Sequence, residues 1–204
     1  MWTSYHSDGE PDPDFLRRMN PPENEVPVAL PQNRVLARTD DVGVAVIGLH
    51  VYTTGVAFQL VAQARPSAQI TGGRDLNELF WRHGPGAGRG FLLGVEFADG
   101  RRAGTMAGRG DANGLIFHQG GGSGGHSSIH QSWWLSPVPP PGPLRLVLRC
   151  DDLGIQETTV ELDGAGMARA VDDVVELWPW EPPRSPDPEP PPLPDLPADS
   201  WFAR

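Results

Sequence analysis

Lysine is absent from this chain, and all 16 of its basic residues are arginine. A Walker A loop needs a lysine to reach the β and γ phosphates, and protein kinases need one on their third strand. Schiff-base chemistry, whether with pyridoxal phosphate or in class I aldolases, needs a lysine amine, and Ser-Lys hydrolases need one as a base. Each of these machines is excluded. Isoleucine (5), asparagine (5) and tyrosine (2) are scarce as well. Codons for these residues and for lysine are rich in A and T, so the bias reads as the mark of a high-GC bacterial genome.

Cysteine is almost as rare. The single Cys150 forbids an internal disulfide and any multi-cysteine zinc or iron–sulfur site, which fits a reducing compartment. Long apolar runs are missing too: the most apolar stretch, residues 42–51, is ten residues long and carries His50. A membrane-crossing helix needs about 20. Asp8, Glu10, Asp12 and Asp14 stand where a signal peptide would have a basic region and an apolar run. The expected location is the cytoplasm.

The net charge of −10 is concentrated at the ends. Residues 1–33 carry six acids against two arginines and residues 180–204 five against two, leaving 15 acids and 12 arginines between them. Proline follows the same distribution, with 6 of 23 by position 31 and 10 from Pro179 onward. Such segments bury too little apolar surface to offset their ordering entropy. The reading is therefore three segments: a disordered acidic N-terminal segment over 1–33, one folded domain over 34–179, and a disordered acidic tail over 180–204. With no basic cluster, neither nucleic acid nor an anionic membrane is an expected partner.

Within the middle, residues 42–52 are rich in β-branched side chains, and Val56, Phe58, Leu60, Ala62 and Ala64 recur at a period of two. Both patterns mark strands, with Thr53, Thr54 and Gly55 turning one onto the other. Asp75 to Arg82 has helical spacing at Leu76, Leu79 and Phe80 and predicts a short helix ended by Gly84 and Pro85. Asp99-Gly100 follows the alternating Phe91, Leu93, Val95 and Phe97, a strong hairpin signal. Further strands are expected over 115–118 and 129–135. In a second hairpin, Leu144, Leu146, Leu148 and Cys150 alternate with Arg145, Val147 and Arg149, and Thr158, Val160 and Leu162 alternate with Glu157, Thr159, Glu161 and Asp163. A three-residue loop, Leu153-Gly154-Ile155, sets Leu148 opposite Val160, Leu146 opposite Leu162, and Arg149 beside Glu157 and Glu161. Met167, Ala170, Val171, Val174, Val175 and Trp178 recur at three-and-four spacing, a helix stopped by Pro179. Together these predict a mainly β fold: an antiparallel β-sandwich or open barrel with a short internal helix and one C-terminal helix.

Gly121, Ser123 and Gly125 spell G-x-S-x-G, but a nucleophile elbow needs a strand before it and a helix after it, so the tract reads as a flexible loop. His126 and His130 share an ion only on a helix. On a strand their side chains lie about 13 Å apart, and a metal site would then need His118 or an acid from a neighbouring strand. His118, His126 and His130 with Trp134 are instead candidates for a ligand- or partner-binding face. Glu161 and Asp163 lie roughly 7 Å apart on a strand, a spacing that inverting glycosidases use, though Arg145 and Arg149 are placed to neutralise that face. Arg109-Gly110-Asp111 is an adhesion tripeptide with no use in the cytoplasm and reads as a loop. Residues 137–143 (PVPPPGP) are expected to be extended and solvent-facing. Residues 190–197 (PPPLPDLP) have the composition of a spacer or of a polyproline ligand for an aromatic groove. Trp201 and Phe202 look like a docking peptide that engages a partner or folds back on the domain.

Residues 90–102 (GFLLGVEFADGRR), the glycine tract 120–125, and residues 133–164 (WWLSPVPPPGPLRLVLRCDDLGIQETTVELDG) resemble a group of uncharacterised β-rich proteins of high-GC actinobacteria. The resemblance implies no activity, cofactor or catalytic residue. The expected function is a non-catalytic interaction or structural component without cofactor or metal, whose tail contacts a protein partner. The alternatives are a hydrolase using histidines and acids near the glycine tract, and a sandwich that binds a sugar or small ligand through Trp133, Trp134 or Trp81.

Overall fold

A computed structural model describes residues 12–68, 75–81, 90–105 and 114–183. The alternating segments form two antiparallel sheets. In the first, β4 (Val42–Tyr52) and β5 (Gly55–Ala64) make the predicted hairpin, with Tyr52 opposite Gly55 and only Thr53 and Thr54 in the turn. Beyond β5 lie β9 (Ser128–Ser136) and then β8 (Ile116–Gly124). On the other side, β2 (Val28–Leu30) and β3 (Arg34–Arg38) both pair with β4, one along each half.

The second sheet runs β11–β10–β6–β7, from β6 (Leu92–Glu96), β7 (Arg102–Gly104), β10 (Pro143–Cys150) and β11 (Ile155–Asp163). The Asp99-Gly100 hairpin is present. Its loop is one residue longer than the two-residue form: Glu96 pairs with Arg102, and the Phe97 N–H donates to the Arg101 carbonyl at 2.9 Å.

The β10–β11 register is shifted by two from the expected one. Leu146 faces Val160, Leu144 faces Leu162, and Leu148 faces Thr158. The connection is a 3-10 turn over Asp151–Leu153 closed by Gly154 at φ 68°, which places Cys150 opposite Ile155. Because the slip is an even number, every side chain keeps its face, and Leu144, Leu146, Leu148 and Cys150 are all buried. The ion pairs change with it: Arg145 bridges Glu161 at 3.0 Å and Glu96 at 2.9 Å, whereas Arg149 turns to Asp151.

Apolar side chains of both sheets form one core. Val46, Leu60 and Ile129 of the first sheet belong to the same cluster as Leu93 and Leu146 of the second. The short helix α2 (Leu76–Trp81) closes onto it by burying Leu76, Leu79 and Phe80, with Phe80 stacked on Phe91 at 4.3 Å. Asp75 caps α2 by accepting the Glu78 N–H at 2.8 Å.

The C-terminal helix is shorter than its spacing predicts. Helix α3 covers Gly164–Ala170, a 3-10 turn covers Val171–Asp173, and Val174 is already extended. Two aspartates and three valines are weak helix formers, and Met167 and Ala170 have by then completed the buried stripe. The following β12 (Val175–Glu176) pairs with β1 (Glu25–Val26).

That pairing corrects the N-terminal boundary for the described part, residues 12–33. Composition assigns them to disorder, yet they hold α1 (Pro13–Arg18), β1 and β2, and Asn24 and Glu25 are 3% and 6% exposed. They are ordered by polar contacts and strand pairing, which an apolar-content argument does not count. Residues 137–143 also depart from expectation, since Pro139 is buried and Val138 packs on the core. Among the described residues no helix is long and apolar enough to cross a membrane. Arg109-Gly110-Asp111, residues 190–197, Trp201 and Phe202 lie outside the described residues.

Candidate functional site

Strand β9 sends Ile129, Gln131, Trp133 and Leu135 into the core and alternates them with His130, Ser132 and Trp134 on the outer face. Trp133 stacks on Phe117 at 4.9 Å and donates its indole N–H to Gln131 Oε1 at 3.2 Å. Trp134, expected on an open binding face, is only 2% exposed. Its ring meets Tyr52 edge-on at 5.7 Å, and its N–H donates to the Arg18 carbonyl at 2.8 Å.

His118 is the cross-strand neighbour of Trp134. Its Nε2 lies 2.7 Å from the Met19 carbonyl oxygen and its Nδ1 3.2 Å from that of Gln119. Arg18 completes the attachment by donating from Nη2 to the Gly114 carbonyl at 2.7 Å and from Nε to Ser136 Oγ at 3.4 Å. The end of α1 is thus a strap across this part of the sheet, and His118 and Trp134 are its anchors.

The other two histidines lie elsewhere. His126 is at the tip of the β8–β9 turn, 84% exposed in its side chain and 3.8 Å from the Asp75 carboxylate. Its carbonyl accepts the Leu76 N–H at 3.2 Å, so the turn also seats α2. His130 is exposed on the outer face, directly opposite Ser123. This places a hydroxyl beside an imidazole, but on an open strand rather than in a strand–turn–helix elbow. Among the described residues no three His, Cys, Asp or Glu side chains gather into a metal-binding group.

The glycine tract is a strand rather than a flexible loop. A Cβ on Gly122 would lie 2.5 Å from the His130 carbonyl oxygen and 2.9 Å from the Trp81 ring. One on Gly124 would lie 2.6 Å from Ile129 Cδ1 and 2.9 Å from Asn77 Oδ1. At these two positions the strand is bare where Asn77 and Trp81 of α2 lie against it. The carboxylates of β11 are engaged structurally: Glu161 holds Arg145, and Asp163 caps α3 by accepting the Gly166 N–H at 2.9 Å. Burial pushes the Cys150 thiol up to about 11, so it is a poor nucleophile near neutral pH.

Two features have no forerunner among the candidate residues. The Glu25 side chain, 1% exposed, accepts the Thr53 N–H at 2.9 Å, accepts the Thr53 hydroxyl, and pairs with Arg17 at 3.6 Å. Burial, reinforced by the charge of Glu25, raises the Tyr52 phenol above its ordinary value. Next to this knot, the β1–β12 ribbon shows apolar side chains to solvent: Val26 and its partner Val175 are 47% and 56% exposed, and Leu177 and Trp178 are 52% and 57% exposed. A cleft of about 340 Å³ opens beside them, lined by Leu16, Arg17, Pro21, Asn24, Trp178 and Trp180 among others. The only sequence signal for either feature is the scatter of apolar residues (Phe15, Leu16, Val26, Val28) through an acidic stretch.

Comparison with known proteins places the chain in no family: no family model matches it, and no curated protein and no solved structure matches it.

Proposed function

We propose that the protein is a non-catalytic interaction component of the cytoplasm that docks a protein partner on the β1–β12 ribbon. The observation that carries this reading is the set of four neighbouring apolar side chains, Val26, Val175, Leu177 and Trp178, each 47% to 57% exposed. Contiguous exposed apolar surface with a polar rim is characteristic of protein docking sites. The rim is acidic, with Glu23, Glu176 and Glu181 beside the patch, so the partner surface is expected to be apolar with basic edges. The contacts of His118 and Trp134 with Arg18 and Met19 support the same reading, because they give those side chains a holding role.

The test uses the full chain with Val175→Asp and Leu177→Asp, compared with His126→Ala and His130→Ala. Partner capture in the source cell should be lost in the first pair and kept in the second, with circular dichroism unchanged in both. Equal capture by all variants overturns the proposal. So does a metal ion that survives dialysis of the intact protein, which favours the hydrolase alternative.

A further inference from the structure

We propose that the open edge of β8 binds a second copy of this chain: two β8 strands pair antiparallel about a twofold axis through Ser123 and join two sheets into one. This goes beyond partner docking on the ribbon and does not depend on it.

β8 ends the strand order of its sheet, and among the described strands it pairs only with β9. Its first residues, Ile116 and Phe117, are buried, whereas Gly120 to Gly124 are exposed. The ladder fixes which backbone groups of the exposed part are already used. Gly125 donates its N–H to the Ser128 carbonyl at 2.8 Å, and bonded pairs alternate with unbonded ones along an antiparallel ladder. Ser123 and His130 are therefore a bonded pair. Gly122 and Gly124, opposite Gln131 and Ile129, turn their N–H and C=O groups away from β9. Among the described residues no hydrogen bond meets those groups from the free side. Two donors and two acceptors thus stand on an open edge.

The other edges of the fold carry the features that discourage strand addition. β11 presents Glu157, Glu161 and Asp163, β7 is three residues long, β2 lies between Pro27 and Pro31, and β3 is bracketed by Arg34 and Arg38. The open part of β8 has neither charge nor proline, and the bulge of this strand, between Gln119 and Gly122, lies ahead of its free groups.

Symmetry and charge select the occupant. A twofold axis through Ser123 sets Gly122 opposite Gly124 of the second copy and Gly124 opposite its Gly122, so that every free donor meets a free acceptor and Ser123 faces its own copy. A foreign strand is read through pockets for its alternate side chains, and a Gly-Ser-Gly edge has little side chain to build them. The chain carries −10 overall, yet β4, β5, β9 and β8 contain no Asp, Glu or Arg. Two copies meet along this edge without setting acid against acid in the joined strands. Trp81, 36% exposed and packed beside Gly122, borders the joint and adds apolar area. One strand pair flanked by two indoles is smaller than a stable interface, so the dimer is weak, with a Kd on the order of 100 µM.

Sedimentation of the full chain across that concentration should show monomer passing into dimer. In hydrogen exchange read by NMR, the amides of Gly122 and Gly124 should gain protection as concentration rises, while that of Ser123, already bonded to His130, should not. Ser123→Glu and Ser123→Lys each set like charges across the axis and should weaken the dimer by about fivefold, and an equimolar mixture of the two should regain it. Ser123→Cys brings two Cα atoms to about 4.5 Å, within disulfide reach, and should give an oxidised dimer where Ser132→Cys, one strand further in, does not. Cys150 is buried and does not compete. Circular dichroism should be unchanged in all four variants, since both serines are exposed. A chain that stays monomeric at about ten times that Kd overturns the proposal, even if a foreign strand protects the same amides. A dimer indifferent to both charged variants overturns its location. Oxidative linking through Ser132→Cys but not through Ser123→Cys replaces edge pairing with packing of the sheet faces, and overturns it too.

Discussion

The indole N–H of Trp134 donates to the backbone carbonyl of Arg18 at 2.8 Å, joining the last third of a core strand to the end of a helix 116 residues earlier. Tyr52 holds the ring edge-on, and His118 makes the matching contact with Met19. The face that its Ser/His/Trp alternation marks for binding is therefore partly occupied by the chain itself. Helix α1 buries no side chain of its own. Its attachment is polar, directed through carbonyls and Arg18, and depends on a few hydrogen bonds.

Removing one of those bonds should loosen the strap without harming the core. Trp134→Phe keeps an aromatic ring against Tyr52 but leaves the Arg18 carbonyl without its donor. The expected cost is about 1 kcal/mol, with faster hydrogen exchange confined to residues 13–20. Exchange that rises equally in β4 and β5 would show that the indole supports the sheet rather than the strap.

The glycine tract makes a sharper prediction, because neighbouring glycines should respond differently. At Gly122 a methyl group meets a backbone oxygen that cannot move away, and at Gly124 it meets Ile129 and Asn77. At Gly121 nothing lies within 4 Å. Gly122→Ala and Gly124→Ala should each destabilise by about 1–3 kcal/mol in urea unfolding, while Gly121→Ala is neutral or slightly stabilising. A flexible-loop reading predicts no difference among the three.

Period-two alternation made the strands legible, and the hairpins at Thr53-Thr54 and Asp99-Gly100 followed from turn chemistry. Register was less accessible. The connection holds four residues, Asp151 to Gly154, where three are expected, and the ladder is irregular between Leu148 and Cys150, so the register moves by two; the apolar pattern is blind to an even slip. The helix spacing over 167–178 misleads beyond Ala170, because Val174 is already extended and Val175 pairs with Val26 of β1. Neither the strap nor the Glu25 knot has a periodic signature. Both rest on single polar residues meeting partners far away in sequence, and nothing in the residue types of Trp134 and His118 shows that the chain itself covers them.

Glu25 should be the most sensitive single residue of the N-terminal segment. Its carboxylate serves Thr53 twice and Arg17 once, with a side chain only 1% exposed. Glu25→Ala leaves the Thr53 N–H without its acceptor and Arg17 without its counter-charge, at an expected cost of about 3 kcal/mol. Glu25→Gln keeps the shape and one acceptor and should cost less. Thermal unfolding of the two variants gives the order directly, and a larger loss for Gln than for Ala would contradict the assigned bonding.

Cys150 predicts how stability changes in alkali. Burial raises its thiol from an ordinary value of 9.0 to about 11, so above pH 9 the unfolded chain releases this proton before the folded one does. The unfolded state then binds fewer protons, and stability must fall as pH rises from about 9 toward 11, by on the order of 2 kcal/mol. Below pH 9 the contribution is fully present. Tyr52, also raised, adds a loss of the same sign at higher pH, so the comparison belongs in a Tyr52→Phe background. Urea midpoints at pH 7.5 and pH 10.5 should converge when Cys150→Ala is introduced there. The native thiol should also react with a disulfide reagent at pH 8 far more slowly than the unfolded chain does. Fast labelling of the folded protein at pH 8 would mean that the β10–β11 connection opens readily, and the alkaline loss would then be smaller than stated.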